Sequence, residues 1–124
     1  NNEEFLLLDK KIYSFKSINF LNNSLLVLNN NNLLTSYNLK NNNIFWKKNL
    51  SKFLSNKDLI IKSYVIKNTV IVFFSTGKIM QFNKLNGEIL FHQNLRLAAV
   101  NLVTVNDGYF VFNQSNGKVI FYKQ

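Results

Sequence analysis

The chain has 124 residues, enough for one domain, and its 47% apolar content is ample for a packed core. Cysteine is absent, which excludes disulfides, zinc–thiolate sites and cysteine nucleophiles, and no apolar run approaches the ~20 residues that span a bilayer. The formal charge of +9 comes from scattered lysines and one arginine, Arg96. Because specific recognition of bases and phosphates relies on the bidentate arginine fork, we expect no nucleic-acid partner.

The first segment predicts an incomplete hairpin over residues 3–16, with short strands at Glu4–Leu8 and Lys11–Lys16. Acidic residues precede its very short apolar run, which excludes a secretory signal peptide. The chain begins without Met, so we expect a processed product or a fragment of a longer protein.

A repeat fills the rest of the chain, with copies at about 17–50, 62–95 and 99–124. Each copy consists of short apolar runs separated by Asn, Gly and Asp, which is the pattern of strands and turns. Runs such as "VIVFF" do not alternate, so both faces of these strands are expected to be covered, as in stacked propeller blades. We predict an all-β fold: a partial β-propeller of about three four-stranded antiparallel blades, in a single domain over residues 1–124.

The second copy shows the expected blade most clearly. Asn86-Gly87 is a turn signal that predicts a hairpin, because both residue types tolerate a positive φ. Short connections join the strands into an antiparallel meander. The four predicted strands are Lys62–Ile66, Thr69–Phe74, Gly77–Asn83 and Glu88–Gln93.

Matched positions in the first two copies lead to further predictions. A shift of 45 positions places Trp46 on Phe91, and we expect both rings to be buried between neighbouring blades. Lys84 is interpreted as a surface position. The residues matched at turns are Asn32 with Gly77 and Asn42 with Gly87.

One segment has helical character. Residues 49–62 could form at most a turn or two of helix, with Ser51 as a possible N-cap.

The third copy reaches Gln124 before a fourth strand. Open apolar faces and unpaired strand edges favour association, so we expect a homo-oligomer. The alternative is that the N-terminal strand completes the last blade.

The stretch "GKIMQFNKLNGEILFHQNL" resembles the pyrroloquinoline-quinone-type propeller repeat. The resemblance runs from about Ser17 to Gln124, although Gln81, Asn83 and Asn86 replace the Ala, Asp and Thr of that pattern. The positions that carry it are Gly77, Ile79, Phe82, Gly87, Ile89 and Phe91, with Trp46 in the Trp position.

This resemblance implies one of two functions. The first is a non-catalytic scaffold that binds protein partners, similar to the propeller lipoproteins of outer-membrane β-barrel assembly. Its location would be the periplasm, either free or anchored to the outer membrane. The alternative is a fragment of a quinone-dependent dehydrogenase. Fold by itself does not decide between them.

The residues that could carry chemistry favour the scaffold. A quinoenzyme needs a cation site, a carboxylate base and an aromatic floor. Trp46 could supply the floor, but its repeat position predicts packing between blades, and the single histidine, His92, has no partner by spacing. We therefore predict no catalytic, cofactor-binding or metal-binding residues and no cofactor. The acids, which show no clustered spacing, are Glu3, Glu4, Asp9, Asp58, Glu88 and Asp107.

Overall fold

The computed structural model describes residue 8 and residues 10–124. The described part contains strands and one short 3₁₀ turn at Leu50–Phe53. The strands are β1 (Ser17–Leu21), β2 (Ser24–Leu28), β3 (Leu33–Asn38), β4 (Asn43–Asn49), β5 (Ile60–Ile66), β6 (Thr69–Phe74), β7 (Lys78–Asn83), β8 (Ile89–Asn94), β9 (Val100–Asn106), β10 (Tyr109–Gln114) and β11 (Val119–Lys123).

These strands form three antiparallel sheets in chain order. The first blade is β1-β2-β3-β4, the second is β5-β6-β7-β8, and the third is β9-β10-β11. The leading strands meet at the inner side of the array, because β1 contacts β5 and β5 contacts β9. The prediction of an all-β partial propeller is confirmed, and so is the expectation that the third copy has three strands.

The repeat is visible in the backbone at its turns. Asn32, Gly77 and Gly117 lead into the third strand of each blade with φ of +65°, +85° and +88°. Asn42 and Gly87 come before the fourth strand with φ of +63° and +76°. Asn replaces Gly in the first blade because its short polar side chain tolerates the left-handed region.

The connection at Asn86-Gly87 differs from the predicted tight turn. Gly87 has a positive φ and Asn86 does not. The Gly87 N–H donates to the carbonyl of Asn83 at 2.8 Å, and the Asn86 side chain accepts from the backbone N–H of Glu88 at 2.9 Å. The result is a longer loop from Asn83 to Ile89, held by asparagine side chains.

The predicted equivalence of Trp46 and Phe91 holds for the strands but not for burial. Trp46 pairs with Ser36 and Phe91 pairs with Gln81, each beside a register shift. Trp46 is 9% exposed, whereas Phe91 is 47% exposed, so the prediction of a buried Phe91 was wrong. Trp46 packs on the loop before β8, and the third blade has no such loop among the described residues.

Two apolar clusters hold the blades together. One fills the space between the first and second blades, and the other lies between the second and third. In the second cluster, Phe73 makes edge-to-face contacts with Phe110 and Phe112, with ring centroids 4.9 and 5.8 Å apart. The second blade is therefore covered on both faces, as its non-alternating strand β6 predicts.

The helical candidate reduces to the 3₁₀ turn at Leu50–Phe53, as expected for residues 49–62. Its cap is Asn49 rather than the predicted Ser51. The Asn49 side chain accepts a hydrogen bond from the backbone N–H of Ser51 at 3.0 Å. An amide oxygen one residue ahead of the turn reaches the free N–H groups that a cap must satisfy.

The N-terminal hairpin stays largely a prediction. Most of its first strand, Glu4–Leu8, falls outside the described residues, and residues 11–16 form no regular strand. At its end, one backbone hydrogen bond reaches the neighbouring strand β2: the Lys16 N–H donates to the carbonyl of Leu28 at 2.7 Å. The division of residues 1–124 as a single domain also remains a prediction.

Candidate interaction site

The junction between the first two blades is closed by Trp46. Its indole N–H donates to the carbonyl of Lys84 at 2.7 Å. The ring lies against Gly87, where an added Cβ would sit 2.6 Å from the Trp46 Cε3 atom. Lys84 itself is 6% exposed, so its interpretation as a surface position was wrong. The loop before β8 thus serves as a lid on the tryptophan.

At the corresponding place between the second and third blades, beside the packed cluster around Phe73, there is an open groove of about 410 Å³. Ile71, Ile79 and the exposed Phe91 line it from the second blade, and Phe110 and Tyr122 line it from the third. Phe110 and Tyr122 stack with ring centroids 6.3 Å apart. Phe91 is exposed in this groove and Tyr122 is partly buried, whereas Ile71, Ile79 and Phe110 are buried.

One wall of the groove ends at the open edge of β11. The Gln124 N–H donates to Gly108 and the Gln114 N–H donates to Lys118, so these opposed residues face each other across the β10–β11 ladder. Along a strand, the backbone N–H and C=O groups of successive residues point alternately to its two sides. The backbone N–H and C=O groups of Val119, Phe121 and Lys123 therefore point away from β10, toward the edge that no other described strand pairs with.

The end of the groove near Lys123 is positively charged. Lys67 and Lys123 both line it. Within the described part of the chain, neither ammonium group makes an ion pair, and the one ion pair joins Lys78 to Asp58. An anionic group on a ligand would therefore meet uncompensated positive charge at this end.

The described acids, Asp58, Glu88 and Asp107, lie in different turns of the chain. Asp58 is buried and holds the turn at Ser75 and Thr76: its Oδ1 accepts from both hydroxyl groups and from the Thr76 N–H at 3.1 to 3.3 Å. Its Oδ2 lies 3.9 Å from the Lys78 ammonium. Glu88 is exposed on the loop before β8. Across residues 8 and 10–124, no three His, Cys, Asp or Glu side chains are grouped to hold a metal ion.

Asp107 and His92 lie on different blades. Asp107 lies in the β9–β10 turn with φ of +47°. Glu3, Glu4 and Asp9 lie outside the described residues. His92 is exposed on β8 and borders a shallow cleft beside Met80 and Phe53.

Lys16, at the start of the first blade, is partly buried. Partial burial lowers its pKa below the usual 10.5, because desolvation penalises the charged ammonium. Its Nζ donates to the Asn32 side chain at 2.7 Å and to the Ile60 carbonyl at 3.0 Å. Lys16 thus ties the start of the first blade to the second.

The outer edges of the first two blades also expose apolar side chains. Ile44 and Phe45 on β4 are 45% and 52% exposed, and Ile89 and Leu90 on β8 are 43% and 54% exposed. Each pair stands at the same place in its blade, beside the register shift. Equivalent positions at the outer edges of both blades therefore expose apolar side chains.

Sequence reasoning identified neither the groove nor the buried role of Asp58. No described strand covers the groove, and the apolar pattern of β7 and β8 is the same whether or not a neighbour covers it. A signal for Asp58 existed in the "ST" pair at residues 75–76, two hydroxyl donors directly before the turn glycine.

The fold is that of a β-propeller segment. No protein-family model matches the sequence, and no curated protein matches it. Among solved structures, BamB from Moraxella catarrhalis superposes with a TM-score of 0.71 and 16% identity over 92% of this chain. The computationally designed Ika8 protein superposes with a TM-score of 0.61 and 15% identity over 86%. At this identity the likeness shows the fold alone.

This chain spans 34% of the length of that BamB chain and 32% of the Ika8 chain. The activities and partners of such whole proteins are therefore not transferred by the superposition. Among the described residues, no helix is long and apolar enough to cross a membrane.

Proposed function

We propose that the chain is a non-catalytic propeller scaffold that binds protein partners in the periplasm, in the assembly of outer-membrane proteins. The observation that carries the proposal is the exposure of apolar side chains on outer strands: Ile44 and Phe45 on β4, Ile89 and Leu90 on β8, and Phe91 in the groove beside β11. Aromatic and large apolar side chains are the ones enriched at the centres of protein interfaces, and exposed strand edges add backbone groups for pairing.

Two further points support the proposal. BamB shares the fold, and the sequence resembles the propeller lipoproteins of outer-membrane assembly. The acids among the described residues are separated: Asp58 is committed to the turn at Ser75, while Glu88 and Asp107 lie in different turns. The match to the quinone-type repeat itself remains a prediction from the sequence.

A site-specific cross-linking experiment tests this function. The chain is exported to the periplasm of Gram-negative cells with a photoreactive residue at Phe45 or Leu90, and at Asn116, an exposed polar turn position, as the matched control. We expect cross-links to subunits of the assembly machinery from Phe45 and Leu90 and not from Asn116. Equal labelling from all positions, or none to these subunits, would overturn the proposal.

The predicted homo-oligomer belongs to the same proposal and has no support from the structural comparisons. A second copy would cover the outward face of the third blade, where Leu102, Val119 and Phe121 are 49%, 46% and 66% exposed. Sedimentation analysis over a wide concentration range tests it. A monomer at every concentration would remove self-association from the proposal and leave the scaffold role in place.

A further inference from the structure

A cleft lies on the outer side of the first junction, between the 3₁₀ turn and strands β7 and β8. Its volume is about 260 Å³, and its lining consists of Phe53, Lys78, Met80, Ile89 and His92. Pockets that enclose small molecules usually measure about 300–1,000 Å³. The cleft therefore suits one large side chain of a segment that continues along the surface.

The pairing of β7 with β8 sets the floor of the cleft. His92 lies opposite Met80, Ile89 lies opposite Phe82, and directly opposed residues share a face of the sheet. Met80 and Phe82 belong to the apolar cluster between the first two blades, so this face is turned toward the first blade. Ile89 is 43% exposed and is the apolar part of the floor that an occupant can still cover.

Lys78 fixes one wall of the cleft. Its ammonium group donates to the carbonyl of Phe53 and lies 3.9 Å from the Asp58 Oδ2 atom. It also lies 4.6 Å from the centre of the Phe74 ring. These contacts tie the 3₁₀ turn to the second blade, and the positive charge of Lys78 is already balanced by a carboxylate.

Two further lysines beside the cleft carry charge that is not balanced. The Lys48 ammonium lies 5.4 Å from the centre of the Phe82 ring, and the Lys52 ammonium lies 5.2 Å from the centre of the Phe53 ring. The two rings are 6.3 Å apart, so the two lysines contact neighbouring rings. Within the described part of the chain, neither lysine forms an ion pair. Because ammonium–ring contacts at exposed sites are weak, both groups can turn toward a carboxylate.

An acidic segment of a protein fits this combination of charge and apolar floor. Ile89 is followed by Leu90, which is 54% exposed and belongs to the surface that the proposed function assigns to protein partners. A bound segment could therefore extend from the cleft along β8. Nucleic acid fits less well, because the chain's one arginine, Arg96, does not line the cleft.

We infer that the cleft beside the 3₁₀ turn binds an acidic segment of a partner protein. One large apolar side chain of the segment packs between Phe53 and Ile89, and flanking carboxylates pair with Lys48 and Lys52. Charge complementarity guides and orients the segment, while burial of the apolar side chain holds it. The inference rests on the proposed scaffold function and names the chemistry of the partner at one site.

The test uses a short synthetic peptide with one central phenylalanine, an aspartate and a glutamate on each side of it, and blocked ends. It is titrated into the ¹⁵N-labelled full chain. We expect saturable shifts of the amide signals of Lys48, Lys52, Ile89 and His92. Changing the phenylalanine to serine, or the acids to their amides, should each weaken binding by about tenfold, because these changes remove the buried ring or the ion pairs.

Protein variants separate the cleft from the overall positive charge. Lys48→Gln combined with Lys52→Gln removes the two charges beside the cleft and should weaken binding by about tenfold. Lys47→Gln combined with Lys67→Gln is the matched control, because it removes two exposed charges that do not contact the rings of the cleft. The control should weaken binding by less than about twofold, since salt screens distant charges.

A second pair of variants tests the apolar floor. Ile89→Ser should weaken binding by about tenfold, because it removes apolar surface that the segment covers. Leu85→Ser is the matched control: Leu85 is 72% exposed in the loop before β8 and does not line the cleft, so binding should not change. If Ile89→Ser does not fold, the lysine variants and the peptide variants carry the same decision.

Three results would overturn the inference. The first is the absence of saturable shifts at the cleft, and the second is an equal loss of binding in both lysine pairs. The third is an equal or stronger response of the same signals to phosphatidylglycerol vesicles or to oligothymidine, which would make the occupant a lipid or a nucleic acid. Periplasmic cross-links from Phe45 and Leu90 would still support the scaffold function in each case, so the two failures are distinguishable.

Discussion

The two junctions between blades are built from the same repeat but differ in what covers them. Between the first and second blades, Trp46 is capped by the loop containing Lys84 and Gly87 and is nearly buried. Between the second and third blades, Phe91 stands at the same place in its strand and is 47% exposed. The aromatic residue is therefore covered at the first junction and exposed at the second.

The difference shows that the burial of the aromatic residue on a blade's fourth strand depends on the next blade along the chain. The aromatic residue of the fourth strand faces the next blade, and the loop of that blade completes its burial. Apolar area removed from water is the main stabilising term, so the covered aromatic residue of the first junction should contribute more to stability than its counterpart at the groove. The stability of variants at matched positions of the two junctions tests this difference directly.

Truncation at the first junction should have the largest effect. Trp46→Ala removes a nearly buried indole and its hydrogen bond to the Lys84 carbonyl. We expect the free energy of unfolding to fall by about 3–5 kcal/mol, as for other large core aromatics. Urea denaturation followed by circular dichroism measures it. A well-folded variant with an unchanged midpoint would mean that Trp46 does not hold the two blades together.

The lid on Trp46 should have the next largest effect. Gly87→Ala introduces a Cβ 2.6 Å from the Trp46 Cε3 atom at a φ of +76°. Gly117→Ala is the matched control, because its φ is +88° and nothing lies within 4 Å of the added Cβ. The control should cost about 1–2 kcal/mol from backbone strain alone. Gly87→Ala should cost clearly more, and this excess should disappear when Trp46 is already alanine. Equal costs at both glycines would show that the lid contact contributes nothing.

Much of the fold could be predicted from the sequence because the repeat appears in residue types with a direct structural meaning. Asn32 and Gly77 coincide in the alignment because both positions need a positive φ. The predicted strands of the second blade agree with the observed strands to within two residues at each end, because Asn and Gly separate their apolar runs. These signals are local, and a single sequence carries them in full.

What could not be predicted depends on neighbours that are distant in the chain. Phe91 and Trp46 have the same local pattern, and only the presence of a loop in the next blade separates a buried ring from an exposed one. Lys84 looks like a surface residue in a turn, yet it is 6% exposed because its loop lies against Trp46. Whether a residue is buried between blades depends on two neighbouring repeats, so the sequence of a single repeat does not reveal it.

Truncation at the second junction should have a modest effect. Phe91→Ala removes a ring that is already half in water, so we expect a loss of about 1 kcal/mol or less. The same denaturation measurement compares it with Trp46→Ala at the matched position. A cost equal to that of Trp46→Ala would mean that the groove is closed in solution. Chemical shifts of the Tyr122 and Phe110 rings would then show whether they too are covered.

The smallest effect is expected on the outward face of the third blade. Phe121 is 66% exposed, and no described residue packs over that face as a further blade would. For a monomer, Phe121→Ala should change the free energy of unfolding by less than about 0.5 kcal/mol, as for other exposed positions. Measuring it at low and high protein concentration makes the experiment decisive about self-association. If a second copy covers this face, the unfolding midpoint of the unmodified chain rises with concentration, and Phe121→Ala reduces that rise. A midpoint independent of concentration in both proteins would mean that no second copy covers this face.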